Sequence, residues 1–309
     1  MKALDGRPMP VVVGAEHRWV DVRGVQLHVA EVGQGRPVVL LHGLLQHWYA
    51  WRKLVPLLSG EYRLVCVDLR GFGWSEQARR GYDLASLGSD VVALLDTLGL
   101  ARVDVVAHDF GAGVAFEMCL RAPHRVGNLI SLNMVHPWPE RRHLFLNMWR
   151  MWFTALWEYP VAGRLVLRHW PAFTRYLLRR EVAHPGAWGE AELDEFVEAT
   201  RCSARANQAL LWQYVVHDIP ALVFRARRHQ RLSVPTLVLA GANDPVIPPN
   251  LLAGGDKHAD HLEVRVVADG GHYLHEEHPS IVAGAVRDML DTPSAASPTV
   301  ATETGQLPA

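Results

Sequence analysis

The chain has 309 residues, 49% of them hydrophobic and 20% charged, and a formal net charge of −1. That is the composition of a soluble globular protein with ample apolar material for a large core, sufficient for one large α/β domain or two smaller ones. Near-neutrality gives no electrostatic reason to expect nucleic acid or an anionic membrane as a partner. The three cysteines, Cys66, Cys119 and Cys202, are widely spaced and odd in number, which predicts buried free thiols in a reducing compartment. The opening Met1-Lys2-Ala3-Leu4-Asp5-Gly6 lacks the apolar core of a signal peptide, and no uncharged apolar run reaches spanning length, so a cytoplasmic protein is expected.

From His17 to Val32, apolar and polar residues alternate around Arg23-Gly24, which predicts an antiparallel hairpin. Pro37-Val38-Val39-Leu40-Leu41 is a continuous apolar run, the pattern of a strand buried on both faces. A helix is predicted over Trp48–Leu58, then a second buried strand over Arg63–Asp68. Leu84–Leu98 has helical spacing and ends at Gly99. Val103–Ala107 is a third buried strand, Gly111–Leu120 is helical, and Leu129–Val135 is a fourth strand. Strands alternating with helices imply βαβ units and a mostly parallel, doubly wound sheet.

The alternation breaks from about Pro137 to Arg231, where only helix-like segments occur. It resumes at Val234–Ala240 and Leu262–Val267, and a last helix spans Pro279–Leu290. The expected organisation is therefore a first part of the sheet (1–136), an inserted helical cap (137–231), a second part of the sheet (232–291) and a disordered tail (292–309) rich in Pro, Ser, Thr and Ala. Seven of the eleven tryptophans fall in the cap: Trp138, Trp149, Trp152, Trp157, Trp170, Trp188 and Trp212. Most should simply pack the cap onto the sheet, but an aromatic lid over a sheet edge also suits a pocket for a small apolar substrate.

The chemistry concentrates at Val105-Val106-Ala107-His108-Asp109-Phe110-Gly111-Ala112-Gly113, a strand-to-helix junction with the outline of a nucleophile elbow. Small residues two positions either side, Ala107 and Gly111, are a steric requirement of that tight turn. The place usually held by serine holds Asp109. A lone aspartate before glycine would be a helix N-cap, but in this setting it is the candidate nucleophile. A carboxylate is already ionised at neutral pH and can attack an sp³ carbon bearing a leaving group to form an alkyl ester. Hydrolysing that ester needs a base, and among 17 histidines His272 stands out, in Gly270-Gly271-His272-Tyr273 after the last strand. Asp244, in Asn243-Asp244-Pro245 after the preceding strand, would orient and charge-stabilise it. Nucleophile, acid, histidine is the order expected of this layout. The backbone N–H groups of Leu44 and Phe110 should form the oxyanion hole, with His42 hydrogen-bonded beneath the loop. No metal-ligand spacing, phosphate loop or nucleotide fingerprint is visible, so a cofactor-independent hydrolase is expected. An esterase is disfavoured because Asp109 attacking an ester would give an anhydride.

Over residues 17–290 the chain resembles the epoxide hydrolase branch of the α/β-hydrolase family. The segments that carry the resemblance are His42-Gly43-Leu44-Leu45-Gln46-His47-Trp48-Tyr49-Ala50-Trp51-Arg52, Asp68-Leu69-Arg70-Gly71-Phe72-Gly73-Trp74-Ser75, His108-Asp109-Phe110-Gly111, Asn243-Asp244-Pro245 and Gly271-His272. The resemblance implies that the aspartate opens an epoxide while cap tyrosines protonate its oxygen, and that water activated by histidine and aspartate then releases a vicinal diol. The sequence departs from the family pattern with Leu45 where proline is common and Phe110 where tryptophan is common. The two tyrosine positions fall at Phe153 and near Leu211. Tyr214, three residues on, becomes the expected donor, ahead of Tyr159 and Tyr176, with the Trp152 indole as a further hydrogen-bond donor. His42, Trp48, Trp152, Phe153, Leu211 and Trp212 are expected around the pocket. Haloalkane dehalogenases share the aspartate and are the alternative, although Leu44 and Phe110 lack the side-chain N–H groups that commonly hold halide there. A fold member that binds a small ligand without turnover is the other.

Overall fold

A computed structural model describes residues 7–291; the tail expected to be disordered, 292–309, lies outside them. Its centre is one eight-stranded sheet. The strands are β1 (Glu16–Val22), β2 (Val25–Val32), β3 (Arg36–Leu41), β4 (Tyr62–Val67), β5 (Val103–His108), β6 (Val126–Leu132), β7 (Thr236–Gly241) and β8 (Leu262–Val267). They are ordered β1-β2-β4-β3-β5-β6-β7-β8. β1 pairs antiparallel with β2 and β2 antiparallel with β4, while every pairing from β4 through β8 is parallel. The hairpin closes as its sequence predicts. Val22 faces Val25 and the two intervening residues, Arg23 and Gly24, both take positive φ, 53° and 77°, the twist that suits a two-residue hairpin loop.

The continuous apolar runs follow from burial on both faces. Val39, Leu41, Val65, Val105 and Ala107 pack on one side, against the helices Leu84–Thr97 and Phe110–Arg121. Val38, Leu40, Leu64, Cys66 and Val106 pack on the other, against Val55–Leu58 and Pro279–Asp291. Period-two alternation along each strand thus feeds two cores at once. Between β6 and β7 the described residues form helices and turns with no further named strand, apart from an isolated bridge of Leu232 to Ala259.

Two elements differ from expectation. Trp48–Leu58 is not one helix: a 3₁₀ turn spans Trp48–Trp51, capped by the His47 ring, and a single α-turn spans Val55–Leu58. Pro56 is the reason, because it has no N–H for the Arg52 carbonyl and its ring would clash there. β6 lies three residues earlier than predicted. Asn128 is a polar residue the strand can bury, since its side chain donates to Asp104 Oδ1 at 2.8 Å. The strand ends where Asn133 turns into the left-handed region at φ 50°. Cys66 and Cys119 are free and buried as expected, whereas Cys202 is only half-buried.

Candidate active site

β5 delivers Asp109 at the carboxyl end of the central strand, and the helix Phe110–Arg121 starts at the next residue. The reversal within one residue puts Asp109 at φ 47°, ψ −126°, a region L-residues rarely occupy and one that stores strain. Two glycines make the turn possible. A Cβ on Gly111 would sit 2.3 Å from the Leu41 carbonyl oxygen, and one on Gly43 would sit 2.7 Å from Asp109 Cβ. The loop after β3 is therefore packed directly onto the elbow. Leu45, at φ 62°, donates its N–H to the cap residue Asn207 at 2.8 Å, which holds that loop in place.

The Asp109 carboxylate is buried, and the Leu44 N–H donates to its Oδ2 at 3.0 Å. Burial pushes its pKa up; the His272 charge and the backbone N–H groups of Leu44 and Phe110 oppose that shift. Of the two expected oxyanion-hole donors, the Leu44 N–H is thus hydrogen-bonded to this side chain.

His272 follows β8 on the glycine loop, and its Nδ1 lies 2.9 Å from Asp244 Oδ2. Its Nε2 faces Asp109 Oδ1 at 3.9 Å. The residue is held through its main chain as well: the His272 backbone N–H donates to the Glu181 carbonyl at 2.8 Å, and the His272 backbone carbonyl accepts from His108 Nε2 at 2.9 Å. Burial by itself would lower its pKa, but Asp244 and then Asp109 outweigh that and raise it. Asp244 is saturated with donors. Its Oδ1 accepts from the N–H groups of Val246 and Ile247 at 2.7 and 2.9 Å, and its Oδ2 accepts from Asn133 Nδ2 at 2.9 Å. Against burial, His272 and these hydrogen bonds hold the carboxyl below its ordinary value.

Above these groups is a mainly apolar cavity. Asp109, Phe110, Leu44 and His272 line its floor, and Phe153, Leu211 and Tyr214 line its cap side together with Met151, Trp157 and Glu181. Tyr214 is buried, and its ring lies edge-on to Phe110 at 4.9 Å. Burial raises its pKa above the ordinary phenol value.

Four of the expected pocket residues are elsewhere. His42 lies beneath the loop, donating from Nδ1 to the Gly43 carbonyl and accepting at Nε2 from the Leu69 N–H. Burial drops its pKa to about 4, so it is neutral. Trp48 belongs to the core on the opposite face of the sheet, its ring against His17. Trp152 is 52% exposed, because the register of its helical segment turns Phe153 inward in its stead. Trp212 packs against Tyr159, outside the cavity wall. Tyr159 and Tyr176 are themselves exposed.

Two polar groups on the wall had no sequence signal. The Trp157 indole N–H is buried without a hydrogen-bond partner. Glu181, at the end of the cap helix Pro171–Arg180, accepts from the Tyr273 hydroxyl at 3.1 Å, and burial pushes its carboxyl up to about 7. In sequence it reads as one more charge ending a helix. Among the described residues there is no group of three or more His, Cys, Asp or Glu that could hold a metal ion.

A family model described as the alpha/beta hydrolase fold matches residues 36–279. The soluble epoxide hydrolase of Corynebacterium sp. (strain C12) is 28% identical over 280 residues, covering 86% of this chain and 94% of that protein. The crystal structure of Cfl2 from Burkholderia cenocepacia superposes with a TM-score of 0.77 at 29% identity, over 93% of this chain and 98% of Cfl2. The epoxide hydrolase CorEH superposes with a TM-score of 0.78 at 25% identity, over 90% and 99% of the two chains. With the elbow, the eight-stranded sheet and the matched family model in agreement, the chain belongs to the α/β-hydrolase fold family, and epoxide hydrolases are among its relatives there.

Proposed function

We propose that the protein hydrolyses an epoxide to a vicinal diol through a covalent ester on Asp109. The observation that carries this reading is the setting of the Asp109 carboxylate: on a strained elbow, under a mainly apolar cavity, with the Leu44 N–H at 3.0 Å from one oxygen and His272 facing the other. In the first step an Asp109 oxygen attacks an epoxide carbon and the ring C–O bond breaks. The oxygen that leaves takes a proton from Tyr214, with the Trp157 N–H as a second hydrogen-bond donor. Forming the ester removes the Asp109 charge, and with it part of what raises the proton affinity of His272, which moves the imidazole towards its basic form. In the second step water gives a proton to His272 and attacks the Asp109 carbonyl carbon. The oxyanion that develops is held by the N–H groups of Leu44 and Phe110. Collapse releases the diol, and the proton on His272 returns through water to Tyr214. One epoxide and one water are consumed.

Single turnover of an epoxide panel in ¹⁸O water tests the mechanism. One ¹⁸O should enter Asp109 of the wild type, and His272→Gln should trap an adduct with the mass of enzyme plus substrate. Diol formation with no label ever reaching that carboxylate would mean direct attack by water. Release of halide from haloalkanes is the second reading, favoured by the buried, unpaired N–H of Trp157, a residue of the cavity lining. The same panel decides it, since halide without any diol would replace the epoxide assignment.

A further inference from the structure

Among the described residues eighteen large apolar side chains are exposed, and eleven of them fall between residues 145 and 176. The exposure is therefore local, whereas soluble monomers usually scatter such residues singly. Along the successive helical segments Arg141–Asn147 and Met148–Leu156, Phe145, Leu146, Met148, Trp149, Trp152 and Leu156 point outward. Their spacings of three and four residues put them on one helical face. Leu146 and Trp149 are each 67% exposed, and the neighbouring helices add Trp170 and Tyr176 to the surface.

Charge singles out what fits this face. Residues 140–176 carry six arginines (Arg141, Arg142, Arg150, Arg164, Arg168 and Arg175) against two acids (Glu140 and Glu158), a basic excess along this stretch in a chain whose total is −1, although Arg175 is ion-paired with Glu190 and Asp194 of the neighbouring helix and Arg142 with Glu140. The Arg150 guanidinium lies over the Trp149 ring at 5.2 Å. Indoles beside arginines suit the boundary between lipid headgroups and acyl chains. A two-fold contact through the same face would set one cluster of arginines against another. The segment that bears these side chains also forms a wall of the cavity, through Met151, Phe153 and Thr154.

We propose that this face of the cap docks on the surface of an anionic lipid bilayer, which brings the cavity wall against the layer where an apolar substrate dissolves. Docking is read without turnover, so it stands or falls separately from the reaction assigned to Asp109. The experiment is sedimentation of the full chain with vesicles of phosphatidylcholine alone and of equimolar phosphatidylcholine and phosphatidylglycerol, at low and high salt. The protein should pellet with the anionic vesicles, and salt should release it. The double variant Leu146→Glu with Trp149→Glu, with an unchanged circular dichroism spectrum, should bind more than about tenfold more weakly. Its turnover of a water-soluble epoxide should equal that of the wild type. Absence of pelleting, equal pelleting on neutral vesicles, or full pelleting of the double variant would overturn the proposal. So would a wild-type dimer in light scattering that the double variant dissolves, because the face would then be covered by a second copy of the chain.

Discussion

Tyr214 and Trp157 reach the cavity from different cap segments, and their roles separate by what each can lose. A phenol can give up a proton; an indole N–H can only hydrogen-bond. Tyr214→Phe should therefore slow ester formation from an epoxide by about 10²–10⁴, as loss of a general acid does, in rapid-quench single turnovers. Decay of the ester should be unchanged. Trp157→Phe should cost about tenfold in the same step, the size of one hydrogen bond to a developing charge. An unchanged rate in Tyr214→Phe would remove the donor assignment. Glu181 makes a pH prediction whose sign is set by its raised pKa, about 7 against an ordinary 4.5. Between those values the folded protein keeps a proton that the unfolded chain releases. The stabilisation is thus complete below about pH 4.5 and is lost as the pH rises through 7, a change of about 3 kcal/mol. Glu181→Gln keeps an acceptor for Tyr273 and cannot titrate. In urea unfolding, the wild type should lose about that much stability relative to Glu181→Gln between pH 4.5 and pH 8. A difference that stays constant with pH would show that the carboxyl does not titrate in this window.

The elbow is the element on which the site depends, and its glycines test that dependence. Gly111→Ala would place a methyl 2.3 Å from the Leu41 carbonyl oxygen, a rigid part of β3. It should destabilise by about 3 kcal/mol or more in denaturant melts. Gly88, in the helix Leu84–Thr97, is the control. Its Cβ would meet nothing closer than 3.4 Å, and its φ is not in the left-handed region. Gly88→Ala should be neutral or stabilise by up to about 1 kcal/mol, as alanine does in a helix interior. Equal effects of the two substitutions would mean that the contact of loop and elbow is not tight. The segment Met148–Leu156 shows the same economy at the cap: Phe153 and Thr154 are buried on the cavity wall while the flanking Trp152 and Leu156 are exposed.

Across the whole molecule, two cores share one sheet, and their cysteines report on them separately. Cys119 lies in the core on the elbow side of the sheet and Cys66 in the core on the opposite side, both fully buried, whereas Cys202 is half-buried on the cap helix Glu190–Cys202. Burial raises the pKa of all three thiols, least completely shielding Cys202. A thiol reagent at neutral pH should label Cys202 first in the native protein, with Cys66 and Cys119 reacting only as the protein unfolds. Early labelling of Cys66 alone would mean that the core beneath Val55–Leu58 opens independently of the elbow. No helix among the described residues is long and apolar enough to cross a membrane. Balanced total charge nevertheless conceals a basic, aromatic cap face that only local counting along the folded chain reveals.

What the sequence by itself determined is whatever depends on periodicity or on steric need within a few residues. The hairpin at Arg23-Gly24, the apolar strands, the break in alternation and the small residues around Asp109 are all of this kind. The order Asp109, Asp244, His272 was legible too, because in a parallel sheet the carboxyl ends of the strands converge on one edge, and position along the chain becomes position in space. Local pattern did not carry across the insertion. Which aromatics line the pocket depends on the register of the cap segments over the sheet. A helical period tells which side chains share a face but not which face turns inward, so the sequence alone points to Trp152 for the wall that Trp157 lines. Asn133 and Glu181 were invisible for a related reason: a polar residue announces nothing until its partners, Asp244 for the one and Tyr273 for the other, arrive from more than ninety residues away. Only the tertiary structure brings such groups together, because the free energy that places them comes from burying the apolar surface around them, not from the polar contacts themselves.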